Sequence, residues 1–166
     1  MYKIGEMVRY GTEGVCRIAE ITVMKVGRER AEYFVLRPVA REGATVFVPV
    51  QNEALVAKMR PLLTKDEIDE MLSAVRLEEL LWPEDAGERK TVFQNILVSG
   101  NRRDLLNMIR SLYITRERLK ARGKRLRSAE EQCLRDAEKL LNDELAAVLG
   151  IHRREVSEYI RSRIED

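Results

Sequence analysis

The sequence predicts an α+β protein, with a small bent β-barrel of Tudor or SH3 type at the N-terminus followed by an all-α helical region. Three observations predict it. The first fifty or so residues alternate apolar and polar positions in short runs separated by glycine-bearing turns. After Pro61 the apolar residues recur at helical spacing instead. The second part also carries helix-start signals, in Thr64-Lys65-Asp66-Glu67 and Ser128-Ala129-Glu130-Glu131, where a small hydroxyl residue precedes a glutamate as in a capping box. A chain of 166 residues is long enough for two small domains, placed here at residues 1–60 and 61–166.

Residues 7–10 and 14–25 read as strands. Gly11 and Gly14 supply the positive φ that a tight turn between them needs. The second segment is long for one strand and is expected to bend. Residues 25–29 form a hairpin turn around Gly27, and residues 31–37 and 44–50 are the next strands, separated by Arg41-Glu42-Gly43. Four or five short strands in about fifty residues fit a strongly bent barrel.

In the helical part, Ile68, Met71, Leu72 and Val75 fall on one face of a first helix. Pro83 ends that region, because the residue before a proline is biased away from helical geometry. Val92, Phe93, Ile96 and Leu97 mark a short helix that stops at Ser99-Gly100-Asn101. Asn101 is placed to cap a third helix, which buries Leu105, Ile109, Leu112 and Tyr113 and ends near Gly123. Leu134, Ala137, Leu141 and Leu145 define a fourth helix. A last one, from about residue 153, presents Val156, Ile160 and Ile164, with no role assigned to residues 151–166.

The net charge is only +2, but it is unevenly placed. Between Arg102 and Arg127 ten lysines and arginines meet two carboxylates, Asp104 and Glu117, so the remainder of the chain is net acidic. A local excess of this size predicts a polyanionic partner. Few aromatic residues interleave with it, so contact with phosphates independent of sequence is expected rather than base stacking. The candidates are Arg102 and Arg103 at a helix start, and Lys124, Arg125 and Arg127 around a loop. Arg89 and Lys90 join them, since cations at a helix N-terminus oppose the helix dipole and a phosphate contact would give a reason for them. Trp82, the sole tryptophan, admits two readings: a core anchor between helices, or an apolar side chain offered to distorted DNA.

Other classes are disfavoured. His152 is the only histidine, and with two distant cysteines it cannot build a zinc site. Gly11-Thr12-Glu13-Gly14 lacks the Lys-Ser/Thr of a phosphate loop, and no nucleophile–base pair is visible. The expectation is a protein without catalysis, metal or cofactor. No apolar run approaches the ~20 residues of a membrane span. The N-terminus has no apolar signal region, and Cys16 and Cys133 read as buried free thiols, so a cytoplasmic protein is expected.

Four pieces of the chain, in this order and spacing, resemble the CarD family of bacterial transcription regulators. They are Ile4-Gly5-Glu6-Met7-Val8-Arg9-Tyr10 followed by Gly14; Tyr33-Phe34-Val35-Leu36; Val46-Phe47-Val48-Pro49-Val50; and a helical part with Ser99-Gly100-Asn101, residues 119–126 and Ala137-Glu138-Lys139-Leu140-Leu141. Together they span about residues 3–149. The resemblance implies a Tudor-like domain that docks on the β subunit of bacterial RNA polymerase, as in the transcription-repair coupling factor. It also implies a helical domain that touches promoter DNA, through the phosphate backbone and the minor groove, at the upstream edge of the bubble. The docking positions it implies are Thr22, Met24, Lys25 and Phe47. Phe47 and Met24 or Lys25 stand where the family commonly has basic residues. The family's minor-groove tryptophan maps to Trp82, although family members place it directly before two arginines and here Gly87, Glu88 and Arg89 fill those slots. The leading reading is therefore a non-enzymatic factor that bridges polymerase and promoter and tunes open-complex stability. The alternative is an interaction scaffold whose barrel takes another partner and whose helices bind RNA or serve structurally.

Overall fold

The computed structural model describes residues 1–164, and the chain divides into two compact units, Met1–Leu63 and the part from Thr64 on. Residues 165–166, included in the helical region predicted from sequence, lie outside the described residues.

The first unit is an antiparallel sheet of five strands: β1 (Met7–Tyr10), β2 (Gly14–Val26), β3 (Glu29–Pro38), β4 (Val46–Pro49) and β5 (Met59–Pro61). Their order is β4-β3-β2-β1-β5. A two-residue loop joins β2 to β3, with Val26 paired to Glu29 and Gly27 at φ 66°. Glycine in the first loop position is what a tight hairpin of this hand requires. The bend foreseen in the long strand is a bulge: Ile18 pairs with Leu36, but Glu20, not Ala19, pairs with Val35. One face of the sheet closes over Val8, Cys16, Ile18, Phe34, Leu36, Val48 and Met59.

The sequence predicted a barrel, whereas the sheet is open. β4 and β5 are its two edges, and among the described residues no ladder joins them. Both strands are short, and each ends in a proline that has no N–H for a further rung. The connection between them is taken up by a single helical turn, α1 (Glu53–Val56), capped by Asn52, whose Oδ1 accepts from the Leu55 amide at 3.1 Å. Neither α1 nor β5 was foreseen from the sequence.

The second unit contains α2 (Lys65–Arg76), α3 (Ala86–Ser99), α4 (Arg102–Ala121), α5 (Ser128–Leu149) and α6 (Val156–Ile164). The capping box at Thr64 forms as the sequence predicts, with the Glu67 amide donating to the Thr64 hydroxyl and the Thr64 amide to the Glu67 carboxylate. Asn101 caps α4 through the Asp104 amide. The box at Ser128 is displaced by one residue: Glu130 accepts from the Arg127 amide at 2.9 Å, so Arg127 is the cap and Ser128 already lies in α5. Ile68, Leu72 and Val75 of α2 meet the apolar stripes of α4, α5 and α6, while Met71 is only half-buried. α3 buries just Phe93 and Arg89, and its expected apolar partners Val92, Ile96 and Leu97 remain half-buried.

Both cysteines are free and buried. Burial, with some help from the Glu13 carboxylate, pushes the Cys16 thiol up to about 11 from its ordinary 9.0. A thiol held protonated by the fold contributes stability in full below its unfolded pKa, and that contribution is lost as pH rises toward the folded value. Resistance to urea is therefore expected to fall between pH 9.0 and about 11. The fall should be shallower in Cys16→Ala; an equally steep fall in that variant would remove Cys16 as its cause.

Candidate functional site

The sheet has a second face, and it carries an apolar strip. Partners in an antiparallel ladder share a face, and successive residues alternate between faces. Phe47 stands opposite Val35, which stands opposite Glu20; in the next row Pro49 pairs with Tyr33 and Tyr33 with Thr22; beyond it Met24 pairs with Ala31. Thr22, Met24 and Phe47, docking positions implied by the resemblance, thus lie on one face. Lys25 does not: it is exposed near the hairpin tip, on the alternate face. Phe47 is 48% exposed, which settles it as a surface residue and not core. Tyr33 and Pro49, half-buried on the same face, extend the strip and were missed as site residues, though the period-two pattern of the two strands contains them; Val35, on the same face, is buried. Beside the strip, β4 is an edge strand whose outer backbone groups are available for pairing.

The cations of the helical unit fall into two classes that the sequence did not separate. Arg89 was predicted as an exposed phosphate contact, but it is only 6% exposed. Its Nε and Nη2 each lie 2.8 Å from Glu130 Oε2, and its Nη1 donates to the Pro83 and Glu84 carbonyls at 2.7 and 3.3 Å. The guanidinium also stacks 4.4 Å from the centre of the Trp82 ring. These contacts pin the segment before α3 onto α5, and this is the reason for a cation at a helix start. Arg102 is likewise structural, forming a two-bond fork with Glu144, a carboxylate that is 1% exposed. Arg110, inside the same basic run, is buried and donates to the carbonyls of Ile164 and Glu78. Arg103 is exposed but ion-paired with Glu78.

Beyond α4 the picture changes. Arg118, Lys120, Arg122, Lys124, Arg125 and Arg127 are all exposed, at the end of α4 and in the turn leading to α5. Gly123, at φ 71°, and the Lys124 amide, which donates to the Leu119 carbonyl at 2.8 Å, close the helix end and project the turn outward. Leu126, 5% exposed, anchors it. A cavity of about 220 Å³ between the starts of α3 and α5 has both Lys90 and Arg127 in its lining, so these two predicted residues come together. Trp82 is half-buried, edge-on to Phe93 with ring centres 6.0 Å apart, and covered on one face by Arg89. Both readings of Trp82 thus retain a physical basis: one side packs and part of the ring meets solvent.

Among the described residues, no three His, Cys, Asp or Glu side chains gather as metal ligands, and no helix is long and apolar enough to cross a membrane. Residues 2–63 match the family model of the CarD-like/TRCF RID domain.

Proposed function

We propose, from the match of residues 2–63 to the CarD-like/TRCF RID domain, that the chain is a transcription regulator that holds RNA polymerase with its sheet and promoter DNA with its helices. The family match carries the reading. The exposed β4 edge supports docking on the β subunit by strand addition, with backbone hydrogen bonds supplying affinity and Phe47 an apolar anchor. The exposed cations from Arg118 to Arg127, with Lys90, support contact with the phosphate backbone. The half-exposed Trp82 is the apolar side chain available to the minor groove. Tethering through the sheet raises the effective concentration of the helical unit at DNA, so weak phosphate contacts suffice to alter open-complex stability. Nothing in this division of labour needs a catalytic group.

Calorimetric titration of the full chain with the isolated β-subunit lobe tests the docking step. Saturable binding is expected, weakened about tenfold (~1.4 kcal/mol) in Phe47→Ser. Absence of heat with a folded chain would move the sheet to a different partner and favour the scaffold reading.

A further inference from the structure

Between α2 and α6 the helical unit opens into a cleft of about 720 Å³, inside the ~300–1,000 Å³ usual for ligand-holding clefts. Its lining is net positive. Lys65, Arg76 and Arg163 stand against a single carboxylate in the lining, Asp69, and that carboxylate already accepts from the Tyr159 hydroxyl at 2.9 Å. The other acids of the first turns of α2 do not line it, and Glu67 is engaged at the cap.

The cleft is also partly apolar. The Tyr159 ring forms one wall, with the Arg163 guanidinium 3.5 Å from its centre. Leu77, at the far end of α2, is 87% exposed and lines the cleft. Lys65 and Arg76 are eleven residues apart on one helix, or about 16 Å at 1.5 Å per residue. That is the span of roughly five residues of extended chain.

We propose that this cleft is a docking site for an extended acidic protein segment that carries an apolar side chain. Its carboxylates meet Lys65, Arg76 and Arg163, and its apolar residue covers Leu77. Charge complementarity selects an anion, and length selects a chain over a single small ion. The exposed leucine beside an aromatic wall selects a peptide over a nucleic-acid backbone, whose phosphates and sugars have no use for it. This site is separate from the sheet and from the α4–α5 turn, and it stands or falls independently of the polymerase reading.

Fluorescence anisotropy of the full chain with a fluorescein-labelled Glu-Glu-Leu-Glu-Glu peptide tests it. Saturable binding is expected, weakened about tenfold in Lys65→Glu and similarly in Arg163→Gln. Replacing the peptide's leucine by serine should weaken binding several-fold. Lys65→Glu puts an acid in the first turn of α2, where the helix dipole favours it, so loss of binding in that variant is not loss of fold. The proposal is overturned by absence of saturable binding to the unaltered chain, or by binding of both variants as tight as that of the unaltered chain. It is also overturned if Lys65→Glu lowers duplex DNA affinity while leaving the peptide unaffected, since the cleft would then belong to a nucleic-acid surface.

Discussion

Arg89→Ala is expected to destabilise the helical unit by about 3–5 kcal/mol, the usual cost of removing one partner of a buried ion pair. Glu130, 7% exposed, would be left as a buried carboxylate without its cation. The Pro83 and Glu84 carbonyls would lose their donor, and Trp82 the guanidinium on its ring. Urea denaturation followed by circular dichroism reads the effect directly. A second variant, Arg89→Met with Glu130→Leu, replaces the pair by apolar groups and should recover part of the loss: an apolar substitute carries no desolvation cost, but the cap that Glu130 gives the Arg127 amide is lost with it. Should Arg89→Ala instead prove nearly neutral for stability yet weaken DNA binding, the phosphate contact read from its place at a helix start would be restored.

The opposite behaviour is expected of the turn after α4. Lys124→Glu, Arg125→Glu and Arg127→Glu together should leave the fold intact, since all three side chains are exposed and Leu126 still anchors the turn. An acid at the start of α5 is favoured by the helix dipole. Duplex DNA binding should weaken for all sequences alike, and the slope of log K against log salt should fall in magnitude by about 2.7, at about 0.9 per phosphate contact. Filter binding over a salt series measures it. A slope unchanged from the parent chain would show that the phosphates are met elsewhere.

The contrast between these two sets of cations shows how far the sequence could be read. The strands of the first unit were legible because alternation and glycine turns are local signals; β2, β3 and their hairpin follow from them. β5 was not, because Met59, Arg60 and Pro61 show no pattern in three residues, and their pairing with Tyr10, Arg9 and Val8 is long-range. The caps at Thr64 and Asn101 were legible for the same local reason. Arg89 and Arg102 were misread because their partners lie 41 and 42 residues away. A signal was present, though on α5 and not beside the arginines. Glu130 and Glu144 occupy the same helical stripe as Leu134, Ala137 and Leu141, and a carboxylate on an apolar stripe calls for a buried cation. The exposed face of the sheet was half legible: Phe47 and Met24 could be named, but their sharing of a face with Tyr33 and Val35 depends on a register that the bulge at Ala19 resets.

The position of Trp82 has a spectroscopic consequence. The chain has one tryptophan, and it lies in the helical unit, edge-on to Phe93 and roofed by the Arg89 guanidinium. Indole emission is therefore a private optical channel for that unit. The sheet, whose aromatic residues are tyrosines and phenylalanines, is silent in it. Emission wavelength follows the solvation of the ring, and the cation above it sets the local field. The same fluorophore thus distinguishes an event at the start of α3 from one on the sheet, with no label added to the protein.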